Sequence, residues 1–182
     1  MYDWPFRFSA PDPSPAAAGP DPDTGAPPGN RRAFLVVVDA SEECEAAIRF
    51  AALRARKTRG VVILLSVSSV PDFHHWMFVG SLMKEEQRLQ AEERLSHFSA
   101  LVEALSGEKP EIIIRDGDAQ EELLRVLDSD QRLSVLVLAA SGGPDGPGPL
   151  ISALTGKHAD RLRLPVTIVP GTLTPEQLDT LT

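Results

Sequence analysis

Residues 135–157 begin with the apolar run Val135-Leu136-Val137-Leu138-Ala139 and continue as Gly143-x2-Gly146-x9-Gly156-Lys157. A short apolar run that ends near glycines is typical of a strand buried on both faces of a sheet. Glycine has no Cβ, so its backbone can adopt positive φ values and can approach an anion closely. Glycines at fixed offsets after a buried strand therefore predict a phosphate-binding loop at the end of that strand.

Similar apolar runs recur along the chain and alternate with helical patterns. The predicted strands cover residues 33–38, 61–67, 112–114, 135–139 and 166–169. The predicted helices run from Ser41 as N-cap towards Gly60, from Leu82 to Leu105, from Asp118 through Leu127, and from Leu150 to Leu162 with a break at Gly156. Asp118 and Glu121 resemble a capping box. Because parallel strands need crossover connections, this alternation predicts an α/β fold, a three-layer sandwich around a five-stranded parallel sheet.

Composition and charge limit the classes of protein to which the chain can belong. The chain has 182 residues, of which 42% are hydrophobic, and these values fit one domain with a sizeable core. A net charge of -8 without a local basic patch argues against nucleic acid as a partner. No apolar run is long enough for a membrane span and no leader pattern is visible, so we expect a cytoplasmic protein. Cys44 is the only cysteine and is expected to be a small residue on a helix face.

The two ends of the chain differ from its centre. Residues 1–30 contain eight prolines and are expected to form a disordered tail before a domain of residues 31–172. Residues 173–182 are expected to be a short C-terminal helical extension that starts at Thr174-Pro175. The tail also carries aromatic side chains that either anchor a protein partner or fold back on the domain; these are Tyr2, Trp4, Phe6 and Phe8.

Three different segments are predicted to meet at one edge of the sheet. Ligands of open parallel sheets bind beyond the carboxyl ends of the strands, and Asp39, Val67 and Gly143 each fall at such an end. An acidic, an apolar and a glycine-rich segment suit the ribose, the base and the phosphates of a nucleotide. Asp39 has a second interpretation, because aspartate before a helix is also a common cap.

Several of these motifs together resemble the universal stress protein family of the UspA type, in a single-domain bacterial form. They are Asp39-x-Ser41, Gly117-Asp118, the glycine series and Pro165-Val166-Thr167-Ile168-Val169-Pro170, and the resemblance spans residues 33–170. It implies a sheet of order 3-2-1-4-5 (adenine nucleotide alpha hydrolase-like) and a role in stress response. It also implies an adenine nucleotide, ATP, ADP or AMP with or without Mg²⁺, at the carboxyl end of the sheet. A homodimer formed through the fifth strand, Val166–Val169, is implied as well; the alternative is that the C-terminal helix covers that edge.

The resemblance also assigns roles to single residues. Asp39 corresponds to an acidic residue near the ribose or a divalent ion, and Val67 to the position whose backbone meets the adenine. Gly143, Gly146 and Gly156 correspond to the phosphate loop.

The chain departs from the family pattern after Gly156. Lys157 stands where the family has a phosphate-binding hydroxyl, and Ala159 stands where a second hydroxyl is common. Lys157 either meets a phosphate as a point charge or faces solvent. His158, next to it, is a candidate nucleotide contact or a packing residue on a helical stripe with Leu154 and Leu162.

The sequence does not predict catalytic chemistry. It shows no nucleophile with a histidine base and an acid, and no carboxylate pair of catalytic spacing, so we expect no enzyme and leave slow ATP hydrolysis open. His74 and His75 lie in an aromatic loop, residues 71–80, but lack a third ligand, so no metal site is predicted. A second hypothesis is a dimeric interaction module of the same fold that has lost nucleotide binding. Lys157 favours it, as do three loop prolines that cannot donate hydrogen bonds; these are Pro144, Pro147 and Pro149.

Overall fold

The elements of the fold follow the predicted alternation of strands and helices. This computed structural model describes residues 31–68, 79–143 and 146–182, so the N-terminal tail and all of the aromatic loop except residues 79 and 80 lie outside the described residues. The strands are β1 Ala33–Val38, β2 Val61–Ser68, β3 Glu111–Asp116, β4 Leu133–Ala140 and β5 Val166–Pro170. The helices are α1 Cys44–Thr58, α2 Val79–Ser106, α3 Ala119–Ser129, α4 Pro149–Thr155 and α5 Pro175–Leu181, and a 3-10 turn spans Ala159–Arg161.

All five strands are parallel and lie in the order β3-β2-β1-β4-β5. The α/β fold class and the order 3-2-1-4-5 are therefore confirmed. β1 is the central strand, and all six of its residues are buried because helices cover both of its faces.

Side chains of alternate strand residues form two separate cores, one on each face of the sheet. Val36, Leu64 and Val137 face α1, where Ala47 and Ala51 allow close packing. On the other face, residues of the same three strands pack against α3 and α4. The strands contribute Leu35, Ile63 and Leu136, and the helices contribute Leu123, Leu127 and Leu154. The predicted three layers are thus helices, sheet and helices.

Cys44 lies at the start of α1 and belongs to the first of these cores. Its Sγ donates to the carbonyl oxygen of Val37 at 3.7 Å, and burial raises the pKa of the thiol to about 11. The thiol therefore stays protonated and acts as a small apolar residue, as the sequence predicts.

Both edge strands expose large apolar side chains. Ile112 and Ile114 of β3 are 47% and 54% exposed, and Ile168 of β5 is 41% exposed. α5 begins with a full capping box at Thr174 and packs on α1 through the buried Leu178. α5 therefore packs against the α1 side of the sheet and does not run along the edge of β5.

Three details of the predicted helices need correction. Ser41 is not the N-cap of α1, because its side chain bonds to Asp39 and the helix begins after Glu43. Asp118 caps α3 as predicted, but Glu121 pairs with Arg125 instead of completing a capping box. The predicted break at Gly156 is confirmed, because α4 ends at Thr155, but the segment after the break forms only the 3-10 turn and not a helix to Leu162.

Candidate functional site

The register of the sheet places the ends of the strands that carry the predicted ligand-binding residues at the same edge. Val38 pairs with Ser66 of β2, and Val36 pairs with Val137 of β4. The residues that follow this β1–β2 pair, Asp39 and Val67, therefore leave the two strands at the same level, and β4 ends at Ala140 on the other side of β1. The glycine loop begins directly after Ala140. The carboxyl ends of β1, β2 and β4 therefore form a single edge on which Asp39, Val67 and the Gly143 loop are neighbours.

Asp39 builds the turn that leaves β1. Its Oδ1 accepts hydrogen bonds from the backbone N–H of Ser41 at 2.9 Å and from the Ser41 hydroxyl at 2.6 Å. This local pattern is an Asx turn, and it takes the place of the predicted helix cap. Both bonds go to one oxygen, so within the described residues Oδ2 keeps its capacity to accept. The carboxylate is exposed at the edge of the sheet.

Glu43, Ser141 and Gly171 meet at the same edge, although sequence reasoning did not select them. The pKa of the Glu43 carboxyl lies below its usual range, first because of its own backbone N–H and then because the Ser141 hydroxyl donates to it. Gly171 donates to the carbonyl of Ala140 at 2.9 Å and lies against the Glu43 side chain. Ser141 and Gly171 directly follow β4 and β5, so the rule that ligands lie beyond strand ends could have selected them.

The loop after β4 is open at its glycines. Gly146 and Gly148 have φ values of +87° and +104°, which a residue with a Cβ adopts only at a cost. A Cβ added at either position would meet no heavy atom of the described residues within 4 Å, so packing among these residues does not explain the two glycines. The N–H of Gly143 donates to the Ser141 hydroxyl at 3.2 Å. The loop therefore has the room that a phosphate would need.

The last predicted loop residue, Gly156, follows a short helix. It ends α4, a helix of seven residues, and so is separated from Gly148 by roughly 10 Å of helix. A Cβ on Gly156 would lie 3.0 Å from the carbonyl oxygen of Ser152, and its φ is -107°, so packing at the helix end accounts for this glycine.

The segment after Gly156 uses its own backbone groups. The N–H of His158 donates to Ala153 at 3.0 Å, and that of Ala159 donates to Gly156 at 3.3 Å. His158 is half-buried in the turn after α4, and the helical stripe predicted for it is absent because the helix has already ended. Lys157 is exposed and makes no ion pair within the described part of the chain. The ends of β1, β2 and β4 thus carry Asp39, Val67 and the start of the glycine loop, and the roles predicted for these residues and for Gly156, Lys157 and His158 stay predictions.

Comparison with known families identifies the family of the chain. The model of the Universal stress protein family matches residues 30–170, which include all five strands. The chain belongs to the universal stress protein family. A comparison with curated proteins finds no match.

Solved structures of other universal stress proteins share the fold. UspA from Lactobacillus plantarum aligns with a TM-score of 0.66 and 18% identity, over 77% of this chain and 98% of that one. A protein from Archaeoglobus fulgidus in complex with dAMP gives 0.51 and 19%, over 77% and 98%. A family member from Arabidopsis thaliana with AMP bound gives 0.55 and 15%, over 76% and 91%. At these identities the likeness concerns the fold.

The described residues of this universal stress protein contain neither a cluster of metal ligands nor a membrane-spanning helix. Among the residues that the structure describes, no group of three or more His, Cys, Asp or Glu side chains is placed to hold a metal ion. No described helix is long and apolar enough to cross a membrane.

Proposed function

We propose that this universal stress protein binds an adenine nucleotide at the carboxyl edge of its sheet and acts as a dimer in a stress response. The observation that carries the binding proposal is the register that pairs Val38 with Ser66, so that Asp39 and Val67 follow at the same edge, while the open glycine loop follows Ala140 of β4. The relatives with dAMP and AMP bound support the choice of adenine nucleotides. The stress-response role rests on family membership alone.

Each part of the nucleotide has a counterpart at this edge. The free acceptor capacity of the Asp39 carboxylate suits ribose hydroxyls, or Mg²⁺ as an oxygen ligand. The backbone at Val67 suits the adenine. The open turn at Gly143 and Gly146 leaves room for a phosphate. The nucleotide would supply the negatively charged phosphate and the adenine base, and the residues of the chain would bind and orient the nucleotide.

The phosphate end of the site favours a short phosphate chain. The N–H groups of His158 and Ala159 are used within the chain, and Lys157 replaces the hydroxyl that the family places there. The chain therefore offers fewer contacts to the second and third phosphates of ADP and ATP. We infer that AMP binds at least as tightly as ATP, and we propose binding without turnover.

Isothermal titration calorimetry with AMP, ADP and ATP, each with and without Mg²⁺, tests this proposal. We expect saturable heat with all three nucleotides. The dissociation constants for AMP and ATP should agree within about threefold, which corresponds to a difference in binding free energy of less than about 0.7 kcal/mol. No heat with any nucleotide would contradict binding and favour the interaction module. ATP binding ten times tighter than AMP would contradict the inferred loss of phosphate contacts.

The dimer is proposed to form along the open edge of β5. Gly171 donates to Ala140, and Pro165 accepts from Leu136, so alternate residues of β5 point towards β4. The N–H and C=O of Val166 and Ile168 therefore point to the open edge. Pairing of two copies across a two-fold axis would satisfy these groups and cover Ile168.

A proline at this edge is expected to convert the dimer to a monomer. Ile168→Pro removes an edge N–H but leaves the bonds to β4 in place, since β5 already tolerates Pro170 at a position of the same parity. Ile168→Ala keeps the N–H and is the matched control. Light scattering after size exclusion should give the monomer mass for Ile168→Pro and the dimer mass for Ile168→Ala. A dimer that survives Ile168→Pro, or a monomeric native chain, would refute this interface.

A further inference from the structure

An apolar groove runs between α2 and the edge strand β3, away from the proposed nucleotide site. Its volume is about 500 Å³, and its lining includes Leu95, Ser99, Glu103, Lys109, Ile112 and Ile114. Ile112 and Ile114 are each about half exposed there. Exposed isoleucines on an open strand edge invite the addition of another strand.

The hydrogen-bonding direction of each β3 residue follows from one contact. Gly117 donates to the carbonyl of Ser68 in β2 at 2.9 Å. Because successive residues of a strand point to opposite sides, Ile113 and Arg115 also point to β2. The N–H and C=O groups of Ile112 and Ile114 therefore point to the open edge.

The N-terminal segment has the matching pattern. Aromatic residues occupy every second position, so an extended strand would carry all of them on one face; they are Tyr2, Trp4, Phe6 and Phe8. We propose that residues 2–8 of the same chain pair with the open edge of β3 as an antiparallel strand, with the aromatic face in the groove.

One register satisfies both the backbone and the charged side chains. It places Trp4 opposite Ile114 and Phe6 opposite Ile112, so the residues that point outwards from β3 meet residues that have an N–H. Pro5 then lies opposite Ile113, at a position whose backbone points away from β3. The missing N–H of proline is tolerated only at such a position.

The same register pairs opposite charges on the other face of the strand. Asp3 lies opposite Arg115, and Arg7 lies opposite Glu111. Arg115 is exposed and has no ion pair within the described ranges, while Glu111 already pairs with Arg132 at 2.8 Å, so Arg7 would extend that network. A parallel strand with Trp4 opposite Ile112 and Phe6 opposite Ile114 would bring Asp3 to Glu111 and Arg7 to Arg115. Like charges directly opposite each other destabilise strand pairs, so the antiparallel direction is favoured.

The N-terminal tail joins the domain at Arg31, close to the groove. Arg31 bonds to Glu108 at 2.7 Å and to the Gly60 carbonyl at 3.0 Å, so the tail enters the domain just before β3 begins. Residues 9–30 then link Phe8 to this point. A chain of that length has an end-to-end distance of roughly 25 Å, against roughly 20 Å for the length of β3. An antiparallel strand of residues 2–8 would end beside Glu108, near the point where the tail joins the domain. The linker of residues 9–30 would then give the strand an effective concentration of about millimolar at the groove.

Fluorescence of Trp4 tests this docking in the full-length chain. The chain has two tryptophans, so Trp76→Phe leaves Trp4 as the reporter. We expect blue-shifted emission and protection from acrylamide, both lost in Ile114→Glu and both kept in the control Leu181→Glu, which replaces an exposed apolar residue of α5. Emission equal to that of a synthetic peptide of residues 1–12 would overturn the proposal, as would insensitivity to Ile114→Glu.

A charge exchange tests the register. Asp3→Arg and Arg115→Asp should each speed amide exchange at Ile112 and Ile114 by about two- to fivefold, the effect of losing one cross-strand charge pair. The double variant should restore the native rate. Additive effects in the double variant would refute the register.

Dilution separates the chain's own tail from that of a second copy. Trp4 protection that does not change between high and low protein concentration supports docking within one chain. Protection that falls on dilution would assign the tail to a partner molecule and overturn the proposal. None of these measurements depends on nucleotide binding, so the two proposals fail independently.

Discussion

Gly171→Ala is expected to lower the free energy of unfolding by about 1–3 kcal/mol, the range for overpacking at a filled site. An added Cβ would overlap the Cγ of Glu43 and lie 2.5 Å from its Cβ and 3.1 Å from its Cα. These atoms belong to the rigid start of α1, so the helix and the end of β5 would have to separate. Urea denaturation followed by circular dichroism measures the change.

Two further variants show whether the contact with Glu43 is the cause. Gly143→Ala is the control, because its Cβ would meet only the Ser141 hydroxyl at 3.4 Å, an ordinary contact, and we expect a change within about 0.5 kcal/mol. Adding Gly171→Ala to Glu43→Gly removes the overlapping side chain and should cost clearly less than Gly171→Ala alone. Equal costs in both backgrounds would show that Glu43 is not the obstacle.

Asp39→Asn is expected to weaken AMP binding about 10- to 100-fold, because a hydrogen bond to a charged group is worth about 1.5–3 kcal/mol. Asparagine keeps Oδ1 as an acceptor for Ser41, so the turn after β1 should persist and the stability should change little. The loss therefore reports the carboxylate charge and not the turn. Calorimetric titration with AMP gives the two dissociation constants.

Asp116→Asn is the matched control for this effect. Asp116 is also an exposed aspartate at the carboxyl end of a strand, but it belongs to the edge strand β3. Its replacement should leave AMP affinity within about twofold. A similar loss in both variants would indicate a general effect of surface charge, and no loss in Asp39→Asn would remove Asp39 from the site.

Local patterns predicted the architecture because its elements depend on local chemistry. The run Ala33–Val38 could only be a strand covered on both faces, and strand ends in a parallel sheet share one edge. Asp39 and Val67 could therefore be assigned to that edge before their register was known. The strand order came from the resemblance to a family and not from the pattern of residues.

Contacts between distant segments could not be read in the same way. Glu43 and Gly171 are far apart in the chain and meet only because β5 ends beside the start of α1. The exposure of Ile112 and Ile114 follows from the position of β3 at the sheet edge, which an apolar run alone does not reveal. The break at Gly156 was predicted, but spacing alone did not show that short-range bonds after it would form a 3-10 turn, in which His158 no longer shares a helical stripe with Leu154.

Chemical-shift mapping with AMP tests the proposed site most directly. On a ¹⁵N-labelled full-length chain, AMP should shift the amides of Asp39, Ser41, Ser141 and Gly143 at the carboxyl edge. The amides of Gly60 and Gly107, at the opposite end of the sheet, should not move. No shifts at saturating AMP, or shifts confined to the end that carries Gly60 and Gly107, would contradict a nucleotide site at the carboxyl edge.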